Sequence, residues 1–297
     1  MEKDIEHVQA RLANIRTVGP LLTALRTIAL GNWQVALNRR KDLQRYGERL
    51  LAILPALLPY LITDRRGSRA RQEAAPETPE SGVVLAIGSE RGLCGRFNTG
   101  MIERVDHDMT TRELLGGQVE LAALGSRIAR ALQRQGHAPA WSQSLPVTAL
   151  PSFELAFSLT RQWLQRYEAQ ELDAVDVVYN AYEGAGRYVP TVTRLIPPQL
   201  PDTSAAVTGA WPPPIVETDP LQLYTRIVEQ WAAISFYGLL LESAASEHSA
   251  RFQLMESAKQ NVDRLVEELT LTIQSARREA ITREMQELAA GAGLLGA

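Results

Sequence analysis

A long run without helix breakers ends the sequence and constrains the fold more than any other feature. From residue 221 onward there is no proline, and glycine occurs only at Gly238 and in the tail from Gly291. Such a run permits one helix of about 70 residues, roughly 100 Å long at 1.5 Å per residue. Small and apolar residues recur in it at steps of three or four: Ala258, Val262, Leu265, Leu269, Ile273, Ala276 and Ala280. This spacing is typical of a coiled-coil seam.

The beginning of the chain shows the same stepping. It is found at Ile5, Val8, Leu12 and Ile15, and again at Leu22, Leu25, Ala29 and Ala36. Because most helix stability comes from burying an apolar stripe, two such helices are expected to pair. We therefore predict an antiparallel coiled coil of an N-terminal helix, residues 1–61, and a C-terminal helix, residues 219–297. The Gly19-Pro20 pair predicts a kink or a break, because proline removes a backbone hydrogen bond and clashes with the preceding turn.

Two polar segments mark boundaries. Residues 62–81, rich in Pro, Gly and Ser, predict a flexible linker, and residues 199–218 predict a loop. Asp219 and Pro220 then form a favourable N-cap and first-turn pair for the last helix. The apolar stretch LLAILPALLPYLI, residues 50–62, carries two prolines and is shorter than the roughly 20 residues of a membrane-spanning helix. It is expected to be a buried helix end.

The middle of the chain, residues 82–198, alternates two kinds of pattern. GVVLAIGS, VELAALGS and AVDVVYNAY predict short buried strands, and TGMIERVDHDM, SRIARALQRQGH and FELAFSLTRQWLQRYEAQ predict helices between them. Strands alternating with helices imply a largely parallel sheet with crossover helices. The predicted fold class is α/β, with a Rossmann-like domain inserted between the two coiled-coil helices.

Composition narrows the classes of partner and compartment. The chain has 31 basic and 34 acidic residues, a net charge of −3, and so lacks the positive excess expected of a nucleic-acid-binding protein. Its single cysteine, Cys94, cannot form an internal disulfide, which fits a reducing compartment and points to the cytoplasm. The first residues, MEKDIEHVQARLANI, lack the apolar core of a signal peptide, so secretion is not indicated.

The residues that could carry chemistry favour structural roles. Gly88, Gly92 and Gly95 lie in a strand-to-helix turn that could hold a phosphate, yet the spacing matches neither G-x-G-x-x-G nor the P-loop. A structural or interface turn is favoured over nucleotide binding, and Cys94 is expected to be a packing residue. The histidines are scattered without metal spacing: His7, His107, His137 and His248. We predict no catalytic residue, no cofactor and no metal site.

Several segments resemble one family in the family's order. SERGLCGRFN, residues 89–98, is similar to the Ser-Asp-Arg-Gly-Leu-Cys-Gly signature of F-type ATP synthase γ subunits. VPTVTRLIP, ETDP, ASEHSAR with the following Met255, and ARREAITREMQEL, residues 276–288, resemble further family segments. The signature turn then consists of Ser89, Arg91, Gly92, Cys94, Gly95 and Asn98.

The resemblance implies a non-catalytic rotor shaft. In that family the terminal helices turn inside a ring of alpha and beta subunits, and the α/β domain rests near the membrane rotor. The implied partners are the alpha, beta and epsilon subunits and the c-ring, without nucleic acid or direct membrane insertion. The implied location is peripheral, at the cytoplasmic face of the cell membrane. The family's coupling contacts with the catalytic subunits map onto Arg26, Arg251, Arg278, Thr282 and Glu287.

The chain departs from the family at two places. Arg278 stands where glutamine is usual, and TVGPLLTALRTIALGNW has fewer lysines than the family's NTQKITKAMEMVAASKM, so that Arg26 is its main basic residue. Two other functions remain open beside the rotor shaft. They are a passive coiled-coil scaffold and, less favoured, a nucleotide-binding α/β enzyme.

Overall fold

The computed structural model describes residues 2–61, 81–114, 117–200 and 216–291. The elements follow in the order α1 (Glu2–Leu51), α2 (Leu54–Leu61), β1 (Ser81–Ile87), α3 (Phe97–Leu114), β2 (Gln118–Leu124), α4 (Ser126–Arg134), β3 (Trp141–Gln143), α5 (Phe153–Glu168), β4 (Ala174–Gly184), β5 (Arg187–Ile196) and α6 (Pro220–Gly291). The chain divides into two compact units. The coil unit comprises residues 1–28 and 252–297, and the head unit comprises residues 29–251.

The long C-terminal helix is confirmed. Helix α6 has 72 residues and starts at Pro220, as the run without helix breakers predicts. The Asp219 carboxylate accepts a hydrogen bond from the backbone N–H of Leu221 at 3.0 Å, which satisfies one of the donors left free at a helix start. The predicted N-cap therefore begins this helix.

The N-terminal helix continues through its proline. Helix α1 extends from Glu2 to Leu51 with Pro20 inside it, so of the predicted kink or break the break is wrong, and the kink stays a prediction. Proline removes one backbone hydrogen bond from the helix. The helix nevertheless packs on both sides of it, since Leu12 is buried and Leu22 and Leu25 are partly buried. Burial on both sides of Pro20 outweighs the local loss.

The predicted buried helix end consists of two helices. Helix α1 stops at Leu51 and α2 begins at Leu54, with Pro55 in its first turn. Leu51, Leu54 and Leu57 are buried together with Ile227 of α6. These three leucines of the apolar run thus belong to a core of the head unit.

The coil unit is an antiparallel pair of helices. A Cβ atom built on Gly19 would lie 4.0 Å from Cγ1 of Val262, and Arg26 pairs with Glu256. Since the position in α6 rises as the position in α1 falls, the helices run in opposite directions. Leu12 and Ile273 are buried, and Val8, Ile15, Val262, Leu265 and Leu269 are partly buried. The predicted seam is confirmed up to Ala276, while Ala280 is exposed.

The head unit contains a five-stranded sheet in the order β3-β2-β1-β4-β5. The pairs β1–β2, β1–β4 and β2–β3 are parallel, and β4–β5 is antiparallel. The largely parallel sheet and the three helices between its strands are confirmed. Strand β3 has only three residues and β5 is a half-buried edge strand, so neither gives a clear buried-strand pattern.

Alternate residues of each strand enter two different cores. Leu85, Val177 and Tyr179 pack with α5 and with the parts of α1 and α6 that belong to the head unit. Val84, Ala86 and Val178 pack on the opposite face with α3 and α4. The sheet is covered on both faces, which explains its nearly continuous apolar strands.

Most of the two predicted connecting segments lies outside the described residues. Ser81, the last residue of the predicted linker, is the first residue of β1, and the boundaries at 62–81 and 199–218 otherwise stay predictions. No helix within the four described ranges has a stretch that is both long and apolar enough to cross a membrane.

Candidate functional site

The signature turn connects β1 to α3 and is closed by its first and last residues. The backbone N–H of Ser89 donates to the Asn98 side-chain oxygen at 3.0 Å, and the Asn98 amide donates to the Ser89 hydroxyl at 2.8 Å. Ser89 is fully buried. This reciprocal pair fixes the width of the turn at the point where the strand passes into the helix.

Two glycines allow the chain to make this turn. Gly95 has φ +62°, a left-handed conformation that favours glycine. Gly88 lies against α4, because a Cβ atom there would meet Ile128 at 2.4 Å and the Asn98 oxygen at 2.8 Å. Gly95 thus serves the backbone turn and Gly88 serves close packing, while a Cβ atom at Gly92 would meet only Arg127, at an ordinary 3.6 Å.

The acidic residue of the turn caps a neighbouring helix. Glu90 accepts hydrogen bonds from the backbone N–H and the hydroxyl of Ser126, at 2.9 and 2.6 Å, and from the backbone N–H of Leu145 at 2.9 Å. Burial alone would raise the pKa of Glu90, but the bonds from Ser126 and Leu145, with Arg130 nearby, lower it below its usual value. The carboxylate therefore occupies the N-terminus of α4, where an anion is most stable.

Glu90 was not among the residues singled out from the sequence. The available signal was the family signature, which has an aspartate at the position where this chain has Glu90. Its partners, 36 and 55 positions away, could not be found from local patterns.

Cys94 is a packing residue, as expected. Its side chain is buried beside Phe97 and Met101 in the core under α3, and its thiol lies 3.8 Å from the Arg91 carbonyl oxygen. Burial raises the pKa of the Cys94 thiol. A neutral, enclosed thiol is a poor nucleophile.

Helix α6 brings a second segment that resembles the family, residues 245–251, to the turn. Arg251 donates to the Gly92 carbonyl oxygen at 3.4 Å, pairs with Glu247 and lies 3.1 Å from the His248 Nδ1 atom. The side chains of Arg251, Glu247 and His248 line a small cleft together with Glu90, Leu145 and nearby residues of the same head unit. The structure thus joins two segments that are more than 150 residues apart.

The electrostatics of this cluster follow from its burial. Burial, reinforced by the Arg251 charge, lowers the pKa of His248 to about 4, so the imidazole is neutral near pH 7. Because the guanidinium can only donate, Nδ1 accepts and the ring carries its proton on Nε2. Burial also raises the pKa of Glu247, and the ion pair with Arg251 opposes that shift.

Four of the five predicted coupling residues lie in the coil unit. Arg26 is partly buried and pairs with Glu256, whose pKa is lowered by the hydrogen bond from Arg26. Arg278, Thr282 and Glu287 are exposed near the end of α6, and the Thr282 hydroxyl donates to the Arg278 carbonyl at 2.8 Å. The fifth, Arg251, is in the head unit with a side chain only 12% exposed.

The end of α6 has no companion among the described residues. The register set by Gly19 and Val262 brings Glu2 opposite about residue 279, so roughly 18 Å of α6 extends past α1. Every side chain from 277 to 288 is exposed there. Ile281, Met285 and Leu288, spaced four and three residues apart, form an apolar stripe with exposures of 58–68%.

Comparison with known proteins decides the family. A family model described as ATP synthase matches residues 4–295. The ATP synthase gamma chain of Rubrobacter xylanophilus is 30% identical over 297 residues, covering 99% of both chains. This chain belongs to the ATP synthase gamma family. The gamma chain of Parabacteroides distasonis is 26% identical over 294 residues, covering 98% of both chains.

Chains in two solved ATP synthase structures share the fold. A chain in the cryo-EM structure of the Euglena gracilis mitochondrial ATP synthase, OSCP/F1/c-ring, in rotational state 3, superposes with a TM-score of 0.62 at 16% identity, covering 99% of this chain and 95% of that one. A chain from the rotor of the same enzyme in rotational state 1 gives a TM-score of 0.60 at 17% identity, covering 95% and 100%. The predicted family and fold class are confirmed.

Proposed function

We propose that this chain is the central rotor shaft of an F-type ATP synthase, coupling ion-driven rotation to ATP synthesis or hydrolysis on the catalytic subunits. The exposed end of α6 carries the proposal. A single helix with a bare apolar stripe is unstable alone in water, because helices of this kind gain their stability from packing. A ring of subunits around the helix would cover Ile281, Met285 and Leu288. The chain's membership of the gamma family is the reason to expect such a ring.

The coupling contacts enter as part of the same proposal. Thr282 and Glu287 are exposed on α6 and free to meet catalytic subunits at angles that change with rotation. A rotating, off-axis helix can favour the different conformations of the catalytic subunits one after another only through contacts that change with its angle. Arg278 is exposed on the same part of α6, whereas Arg26 is partly buried in its ion pair with Glu256. Arg251 is proposed to contribute from the head unit, where it also holds the signature turn.

The chain is proposed to carry out no bond chemistry itself. Its partners are the alpha and beta subunits, the c-ring and the epsilon subunit, at the cytoplasmic face of the membrane and without nucleic acid. The nucleotide-binding alternative is disfavoured at the signature turn. The N–H groups of Ser89, Phe97 and Thr99 already have protein acceptors, and Glu90 would repel a phosphate from α4.

Co-expression with the cognate ring subunits, followed by ATPase and ion-pumping assays of the purified complex, tests the proposal. We expect Thr282→Ala and Glu287→Ala to slow or uncouple the ATPase. Glu284→Ala removes the same charge one turn before Glu287 and serves as the matched control. Normal hydrolysis and pumping by both variants would contradict the coupling role of Thr282 and Glu287. A wild-type complex that hydrolyses ATP without pumping would support the passive scaffold instead.

A further inference from the structure

Hydrogen bonds from α6 to the sheet are concentrated on one face of the helix in the head unit. Glu242, Ser246 and Ser249 are spaced four and three residues apart and therefore share that face. Each bonds a backbone group of β4 or of the turn that follows it. We call these three residues the joint.

Ser246 satisfies a carbonyl group that the sheet leaves without a donor. Its hydroxyl donates to the Asn180 carbonyl oxygen at 2.9 Å. Strand β1 pairs with β4 only as far as Val178, and the residue opposite Asn180 on β5 is Pro190, which has no N–H. A buried carbonyl without a donor is costly, so this contact is strongly favoured.

Glu242 connects three elements. One carboxylate oxygen accepts from the backbone N–H of Tyr182 on β4 at 3.2 Å, and the other pairs with Arg40 of α1 at 2.8 Å. Its side chain is only 10% exposed. Both long helices are thereby tied to the sheet through one residue.

Ser249 extends the joint to the β4–β5 turn. Its oxygen accepts from the backbone N–H of Gly186 at 3.3 Å, while its own proton goes to the Ser246 carbonyl at 3.0 Å. Ser243 adds a long contact of 3.5 Å to the carbonyl of Ile87, the last residue of β1. The bonds therefore reach the carboxyl ends of two strands.

Directional bonds at this position resist a different motion from the surrounding apolar contacts. Ala232, Phe236 and Leu240 of α6 pack in the core, and apolar burial opposes separation but has little directionality. A serine hydroxyl lies one carbon from its own backbone, so a bond from Ser246 to Asn180 links two backbones with little slack. Such links oppose rotation of α6 about its axis and sliding along the sheet.

We propose that Glu242 and Ser246 are the torque-bearing contacts between α6 and the α/β sheet, positioning residues for rotary coupling. The inference rests on the proposed rotor function and assigns the load to two side chains outside the predicted coupling set. Since α6 is one continuous helix from Pro220 to Gly291, load applied to the sheet is passed to it at the joint. Loss of both contacts should let the helix slip under load while leaving catalysis on the other subunits intact.

The test uses the complex assembled with its cognate partners and the double variant Glu242→Gln/Ser246→Ala. We expect ATP hydrolysis within about two-fold of wild type and ion pumping per ATP reduced about ten-fold against an opposing gradient. The matched control is Glu154→Gln/Ser158→Ala, the same two changes at the same spacing on an exposed part of α5. The control should pump like wild type.

The outcomes separate this inference from the rotor function. If the wild-type complex pumps and the double variant pumps equally well per ATP, the torque-bearing role of Glu242 and Ser246 is overturned and the rotor function still stands. A wild-type complex that assembles but never pumps overturns the rotor function itself. If the double variant does not assemble, Ser246→Ala and Ser246→Thr are compared, and only the threonine, which keeps the hydroxyl, should retain normal pumping. Equal pumping by these two variants would contradict the torque-bearing role of the Ser246 hydroxyl.

Discussion

The Nη2 atom of Arg251 on α6 lies 3.4 Å from the carbonyl oxygen of Gly92 in the signature turn, and the same guanidinium pairs with Glu247. The two side chains are 12% and 14% exposed. The arginine therefore neutralises a buried carboxylate and holds the turn against the helix. These contacts are internal to the head unit, and the coupling contact of Arg251 with another subunit stays a prediction.

Replacing Arg251 should destabilise the isolated chain. We expect Arg251→Gln to lower the free energy of unfolding by roughly 3 kcal/mol, because Glu247 would stay buried without a counter-charge. Urea unfolding followed by circular dichroism measures this. The control is Arg277→Gln on an exposed part of α6, and adding Glu247→Gln to Arg251→Gln should recover part of the loss. Equal destabilisation by the two single arginine variants would contradict the buried ion pair.

His248 should make the fold sensitive to mild acid. Its pKa is lowered to about 4 in the folded chain from 6.5, so between these values only the unfolded chain takes up a proton. Its contribution to stability is complete above pH 6.5, is lost as the pH falls toward 4, and amounts to about 3 kcal/mol. Unfolding measured at several pH values should show a shallower dependence for His248→Gln. Parallel pH curves for the two proteins would mean that His248 is protonated equally in both states.

Two glycines should respond oppositely to the same change. At Gly31, inside α1, a Cβ atom meets nothing within 4 Å, whereas at Gly88 it would collide with Ile128. We expect Gly31→Ala to stabilise by about 0.5–1 kcal/mol, because alanine restricts the unfolded chain and favours helix. Gly88→Ala should destabilise by about 3 kcal/mol through overpacking. Thermal unfolding of both variants checks the pair, and a neutral Gly88→Ala would show that α4 can move away from the turn.

Cys94 should resist thiol reagents while the chain is folded. Its burial and raised pKa leave little accessible thiolate. We expect its reaction with a disulfide reagent at pH 8 to be at least about ten-fold slower in native protein than in urea. Thr99→Cys in a Cys94→Ala background places a thiol at an exposed position of α3 and should react quickly without urea. Comparable native rates at the two positions would argue against an enclosed Cys94.

Sequence patterns predicted the elements whose causes are local. The spacing of Val262, Leu269 and Ile273 gave the seam, and the apolar runs ending near Ile87 and Leu124 gave two central strands. The signature turn, residues 89–98, together with further segments in the same order, gave the family. Pro20 shows the limit of such reasoning, since α1 continues through it where packing on both sides outweighs one lost hydrogen bond.

The amino-acid sequence by itself determined the two long helices, the parallel sheet between them and the family, because periodicity, helix breakers and short motifs are local properties of the chain. Only the tertiary structure decided that Arg251 holds Gly92, that Glu90 caps α4 and that Glu242 and Ser246 join α6 to β4. Those partners are separated by tens to more than a hundred residues. Their pairing follows from which buried polar groups the packed elements leave without a partner, and no local pattern specifies that.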